Sequence, residues 1–178
     1  DLDFYNNYYW RVDEVNSTNP ENPHKGHVWR FTTLPYVVID DMELYNLTDN
    51  KIYDTWLKYD NAYLYLEKNN PVHEGEKSMR LRYSGLSTIK RTFDSCQDWA
   101  SKDISSMELF LHGEEGNTGG QLKITLQDDD GDYSSTVYYP NPGDLISSPF
   151  YWIQWNIDLE DFDSESMDMN KVKSIIIS

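Results

Sequence analysis

From Tyr36 onward apolar and polar residues alternate over short runs, the period-two pattern of strands that bury one face. Met79, Leu81 and Tyr83 fall on one side of SMRLRY, opposite Ser78, Arg80 and Arg82. Leu122, Ile124 and Leu126 oppose Gln121, Lys123 and Thr125. Tyr151, Ile153, Trp155, Ile157 and Leu159 oppose Trp152, Gln154, Asn156 and Asp158. The runs NKIYDTW, AYLYL, SMRLRY, STIKRTF, SSMELFLHG, QLKITLQ, DYSSTVYY, FYWIQWNIDL and KVKSIII predict strands, most bounded by Gly, Pro, Asn, Asp or Ser. Spacing this regular, with almost no helix candidates, predicts an all-β domain, a sandwich or a two-sheet jelly roll. Its expected core includes Leu81, Leu109, Leu111, Ile124, Trp155 and Ile157. YVVIDDMELY (36–45), β-branched and then acidic, reads as the opening strand. QDWASKDIS and EDFDSESMDMN read as irregular segments with a short helical turn in each.

Residues 5–33 predict one hairpin. Tyr8, Trp10 and Val12 share a face, NSTNPENPHKG supplies the turn, and Trp29 and Phe31 share a face on the return. Two strands do not make a stable domain, and these carry large aromatics that need cover. Leu34 and Pro35 therefore divide an incomplete first domain, residues 1–34, from a second, residues 35–178, that is long enough to bury its own core.

Fifteen Lys and Arg against 31 Asp and Glu give a formal charge of -16. Such a field repels phosphate backbones and anionic membranes, so nucleic acid is excluded as a partner. The acidity suits a self-repelling soluble surface, a cation-holding protein, or work outside the cell. No apolar run reaches the roughly 20 residues needed to span a bilayer, which argues against membrane insertion. The single cysteine, Cys96, excludes an internal disulfide framework and a Cys-rich zinc site.

Several motifs could carry chemistry. Asp41 and Glu43 make the best metal candidate, since calcium takes six to eight hard oxygen ligands; they read equally well as carboxylates capping a strand end in solvent. The run Asp128–Asp132 has Leu126 where an EF-hand loop needs an oxygen ligand, and reads as a hairpin turn. Asn16-Ser-Thr and Asn46-Leu-Thr are sequons of a kind that chance supplies. His24, His27, His73 and His112 are scattered, there is no HExxH, GxSxG or phosphate loop, and no enzyme is expected.

Aromatics make up 15% of the chain, with 14 Tyr and 6 Trp, more than a core of this size needs. Trp56 and Trp99 read as core. Sugar rings present flat apolar faces bordered by hydroxyls, and bind where flat aromatics sit beside planar polar groups. Arg80, Arg82, Tyr138, Trp152 and Gln154 are expected to share such a face, with Tyr59 and Tyr63 in a loop at its border.

The pattern YYWRVDEVN, a loop with a glycine, then VWRFTT resembles the last two strands of the fibronectin type III-like domains of large secreted bacterial proteins. VVIDDMELY, NKIYDTW, GEKSMRLRY, RTFDSCQDWASKDISSMELFLHG, QLKITL and WIQWNIDL before VKSIII, in that order, resemble a jelly-roll domain of the carbohydrate-binding-module type, galactose-binding-like in fold. That resemblance implies a structural calcium (Ca2+) held by Glu43, the Lys77 carbonyl and Asp41, with a closing ligand on a last strand that this chain lacks. It further implies a module of a larger extracellular or cell-surface protein, with neighbouring domains of that protein and a polysaccharide or cell-surface glycan as partners. The competing expectation is a structural or adhesive module of a surface layer, matrix or filament that self-assembles and binds no sugar.

Overall fold

The computed structural model describes residues 6–16, 19–32, 36–100, 104–147 and 151–178. The expected boundary at Leu34 and Pro35 lies outside the described residues. The chain divides into two compact units, Asp1–Asp40 and Asp41–Ser178.

In the first unit β1 (Asn7–Trp10) pairs antiparallel with β4 (Trp29–Thr32), and between them β2 (Glu14–Asn16) pairs with β3 (Asn19–His24). The expected hairpin is present, and its turn-rich link carries the second strand pair. Tyr8 stands opposite Phe31 and Trp10 opposite Trp29, with ring centroids 5.6 and 6.0 Å apart. These are directly paired residues, which share one face of a sheet. Trp10 and Trp29 remain 51% and 59% exposed.

The second unit contains, in order, a helical turn α1 (Ile52–Thr55), β5 (Trp56–Asp60), β6 (Tyr63–Glu67), β7 (Ser78–Arg82), β8 (Ser87–Gln97), β9 (Ser106–Leu111), β10 (Lys123–Asp128), β11 (Val137–Tyr138), a second turn α2 (Asp144–Ser147), β12 (Ile153–Asp158) and β13 (Val172–Ile177). Every pairing is antiparallel. One sheet of five strands runs β11-β10-β13-β8-β5, and two ribbons, β6-β7 and β12-β9, stand apart from it in hydrogen bonding. The all-β expectation holds.

Two predicted strands take another form. Residues 36–45 are bends and a turn, because the Asp41 side chain accepts a hydrogen bond from Glu43 N–H at 3.0 Å and Met42 turns to a φ of 65°. A polar side chain that offers the backbone a local partner favours a turn over a ladder. NKIYDTW likewise makes α1 before its strand begins at Trp56; Asp54 N–H bonds to Lys51 O at 2.9 Å. DYSSTVYY keeps only Val137 and Tyr138 as a strand. In EDFDSESMDMN the helical turns are real, at Leu159–Phe162 and Met169–Lys171. In QDWASKDIS residues 101–103 are outside the described set, and the described remainder shows no helical turn.

The core is formed where β-branched and large apolar residues meet across paired strands. Ile124 opposes Ile177, Leu126 opposes Ile175, and Ile177 opposes Ile89. Ile89, Ile124, Leu126, Ile157 and Phe162 are all exposed by 1% or less. Trp155 of β12 meets Tyr139 edge to face at 5.2 Å, joining the β12-β9 ribbon to the β11 end of the large sheet. Of the expected core, Ile124, Trp155 and Ile157 are buried, while Leu81, Leu109 and Leu111 are only half-buried. Tyr151, expected inward, is 62% exposed, since it precedes the start of β12 and the alternation has not begun there.

Polar residues close the acidic end. Asp128, 3% exposed, accepts N–H bonds from Asp132 at 2.9 Å and Asp168 at 3.0 Å. Gly131, at a φ of 96°, lets the chain turn back so that Gln127 pairs with Tyr133, the expected hairpin. Burial pushes the Asp128 carboxyl up, but the backbone N–H groups of Asp168 and Asp132 outweigh it and hold it below its ordinary range. A carboxyl depressed in the folded state contributes stability above its unfolded pKa and loses it as pH falls through the folded one. Asp128→Asn should therefore cost about 1–3 kcal/mol in urea unfolding at neutral pH, since one amide hydrogen then faces a donor. Below about pH 4, where unfolded-state aspartates protonate, the gap between the two proteins should shrink.

Candidate functional site

The β6-β7 ribbon sorts its residues by alternation. Leu64 faces Leu81 and Leu66 faces Met79 on the covered side; Tyr63 faces Arg82 and Tyr65 faces Arg80 on the other. Tyr63 and Tyr65 are 54% and 48% exposed, and both arginines are exposed. Tyr63 thus lies on a strand, not in a loop, and the Lys58 ammonium sits 5.4 Å from its ring centroid.

On the β12-β9 ribbon, Phe110 faces Gln154 and Glu108 faces Asn156, while Leu109 and Trp155 face each other on the covered side. Trp152 and His112 flank the end of this ladder with rings 5.4 Å apart. His73, from the loop 68–77 between β6 and β7, stacks on Phe110 at 3.9 Å and meets Trp152 edge-on at 5.6 Å. Gln154 donates from Nε2 to Asn156 Oδ1 at 2.9 Å.

Contacts between the ribbons and their flanks include the His73 stack and Arg80, which donates from one guanidinium nitrogen to both Glu114 oxygens at 2.7 Å and lies 3.8 Å from Glu67. Glu67 is held low by the backbone N–H of Asn69, against desolvation, with further help from the Lys68 N–H and the Arg80 charge. Arg80, opposite Tyr65 on β6-β7, thus reaches Glu114 just beyond β9, while His73, Phe110, Trp152 and His112 gather at the end of the β12-β9 ribbon.

Arg80, Arg82 and Tyr63 thus lie on the outer side of the β6-β7 ribbon and Gln154 on that of β12-β9 with Trp152 at its end, whereas Tyr138 and Tyr59 lie on neither ribbon. Tyr138 pairs with Lys123, beside the inward Ile124, and Tyr59 pairs with Thr88, beside the inward Ile89. Both therefore point away from the core on the five-stranded sheet, at its two opposite edges. Alternation assigns a residue to a face of its own strand, but not its strand to a sheet. Phe110, His112 and Tyr65 were readable by that same alternation; His73, in a loop, had no such signal.

Asp41, Glu43 and Lys77 also converge. Glu43 Oε1 accepts N–H bonds from Glu76 at 2.8 Å and Lys77 at 2.9 Å, and the Lys77 ammonium donates to the Glu43 carbonyl. As they stand, these residues offer few free oxygens for calcium. One carboxylate oxygen is already met by two amide hydrogens and a backbone oxygen by an ammonium. Among the described residues, no three His, Cys, Asp or Glu side chains are grouped for a metal. Six to eight oxygens are required.

The sequence, compared with protein-family models and with curated proteins, gives no match to either. The reading of the site accordingly rests on its chemistry. Carboxyls with resolved shifts among the described residues, Asp49, Glu67, Asp128 and Asp168, are all lowered, the opposite of what a general acid requires.

Two outcomes are expected. Arg80→Ala should change stability by less than about 1 kcal/mol in urea unfolding, because both partners of its ion pair with Glu114 are at least half exposed. Chelation of divalent cations should leave the melting temperature unchanged, since a metal bound only by the folded state would have to raise it.

Proposed function

We propose that residues 35–178 form a non-catalytic carbohydrate-binding module with a jelly-roll fold, working outside the cell or at its surface within a larger protein. The observation that carries this reading is the joined face of the two ribbons. The exposed rings of Tyr63 and Tyr65 and the part-exposed rings of Phe110 and Trp152 lie on the ribbons with groups that donate in a plane, Arg80, Arg82 and Gln154. Rings of this kind stack on the apolar faces of sugars, and forked donors bond to their hydroxyls. Arg80 arrives already paired with Glu114 and Glu67, which offsets its own charge toward an anionic partner. The proposal needs no calcium.

A second reading, a structural module that self-assembles, is favoured by the first unit. Its stacked pairs Tyr8–Phe31 and Trp10–Trp29 leave Trp10, Trp29 and Phe31 between 44% and 59% exposed. Surface aromatics of that size are more usual in contacts between proteins.

Electrophoresis through gels containing soluble neutral polysaccharides separates the readings. The intact chain should be retarded, and Trp152→Ala should weaken retention about tenfold, as expected for the loss of one stacking contact worth roughly 1–1.5 kcal/mol. Retention of nothing, together with concentration-dependent association, would replace the first reading by the second.

A further inference from the structure

The loop 68–77 is long for a hairpin, yet it delivers His73 onto Phe110 and beside Trp152. Its base is closed by Ser78 Oγ donating to Pro71 O at 2.8 Å. Its far side is held by a residue from outside the hairpin. Glu43 reaches across 33 positions of chain and places one oxygen on two successive amides, Glu76 N–H and Lys77 N–H. The backbone can meet that oxygen closely only because residue 75 is glycine. Gly75 has a φ of 72°, and a Cβ there would lie 2.4 Å from Glu43 Oε1. The Lys77 ammonium returns to the Glu43 carbonyl and closes the contact from the other end. An ionised acceptor on backbone N–H groups makes a bond about twice as strong as a neutral one.

We infer that Glu43 is the positioning residue of the aromatic face: without metal, its carboxylate fixes the loop 68–77 so that His73 completes the stack with Phe110 at Trp152. This rests on the glycan-binding reading for its consequence, but the contact itself can be tested without a glycan. The acid near the start of the unit is then not one ligand of a cation shell. It is an internal anion seated on a backbone nest, and its effect on binding passes through His73.

The ring protons of His73 report the stack directly, since a ring 3.9 Å above an aromatic plane has shifted proton resonances. In the full chain, Glu43→Ala should return these resonances toward their solvent-exposed positions while the methyl signals of Ile124 and Ile157 stay dispersed. Glu43→Gln, whose amide oxygen can still accept both N–H bonds, should largely retain them. Gly75→Ala breaks the same contact from the other side, and combined with Glu43→Ala it should add nothing further. If Glu43→Ala does not fold, Gly75→Ala decides by the same signals. In gels containing soluble galactomannan or xyloglucan, Glu43→Ala should weaken retention about fivefold and Glu43→Gln less than twofold. His73 resonances unchanged in both Glu43→Ala and Gly75→Ala would overturn the inference. An intact chain retained by neither polysaccharide would overturn the glycan reading instead, leaving the His73 signals to judge the clamp separately.

Discussion

Burial of one residue in two is the constraint from which the candidate face follows. Ile89, Ile124, Leu126 and Ile157 are removed from water almost completely, and each such side chain stabilises the fold by roughly 1.5–3 kcal/mol relative to exposure. A slip of one position in any of these strands would exchange the core for the surface, so the register is held firmly. Because Trp155 and Ile157 must point inward, Gln154 and Asn156 must point outward, and their opposite neighbours Phe110 and Glu108 with them. The same necessity turns Arg80, Arg82, Tyr63 and Tyr65 outward from the Leu64–Leu81 pair. The exposed face is a by-product of the buried one, sharpened by which residues occupy it.

Polar groups then shape what the strands leave open. Glu43 holds one loop and Asp128 another, both by placing a carboxylate on backbone N–H groups that strands cannot use. Among the described residues no buried side-chain nitrogen or oxygen lacks a partner. At a formal charge of -16 the chain can spare these acids from the solvated surface, and each does local work where a ladder ends. At residues 36–45 such a contact accompanies a failed strand expectation, since the Asp41 carboxylate accepts the Glu43 N–H and makes a turn there.

The all-β character and the faces of β7, β10 and β12 were legible because their alternation is long and asymmetric. Leu122–Leu126 and Ile153–Leu159 admit only one inward set. The fate of residues 36–45 was not legible, because propensity describes how well a residue suits a half-buried pleated surface and says nothing about whether a neighbouring edge is there to pair with. The site was readable in part. Arg80, Arg82, Trp152 and Gln154 followed from alternation, while Tyr59 and Tyr138 were misplaced because sheet membership is a long-range property. Glu43 meeting the GEKS turn was implied by resemblance alone, and His73 depends on a loop whose path is set by that contact.

The central claim is that the outer face of the two ribbons, and not the outer face of the five-stranded sheet, meets a sugar. Chemical-shift mapping of the full chain titrated with neutral oligosaccharides tests it most directly. The account predicts perturbation of the Trp152 indole, the Tyr63 and Tyr65 rings and the Arg80 guanidinium, with Tyr59 and Tyr138 unmoved. Perturbation confined to Tyr59 and Tyr138, or none at millimolar oligosaccharide, would contradict it.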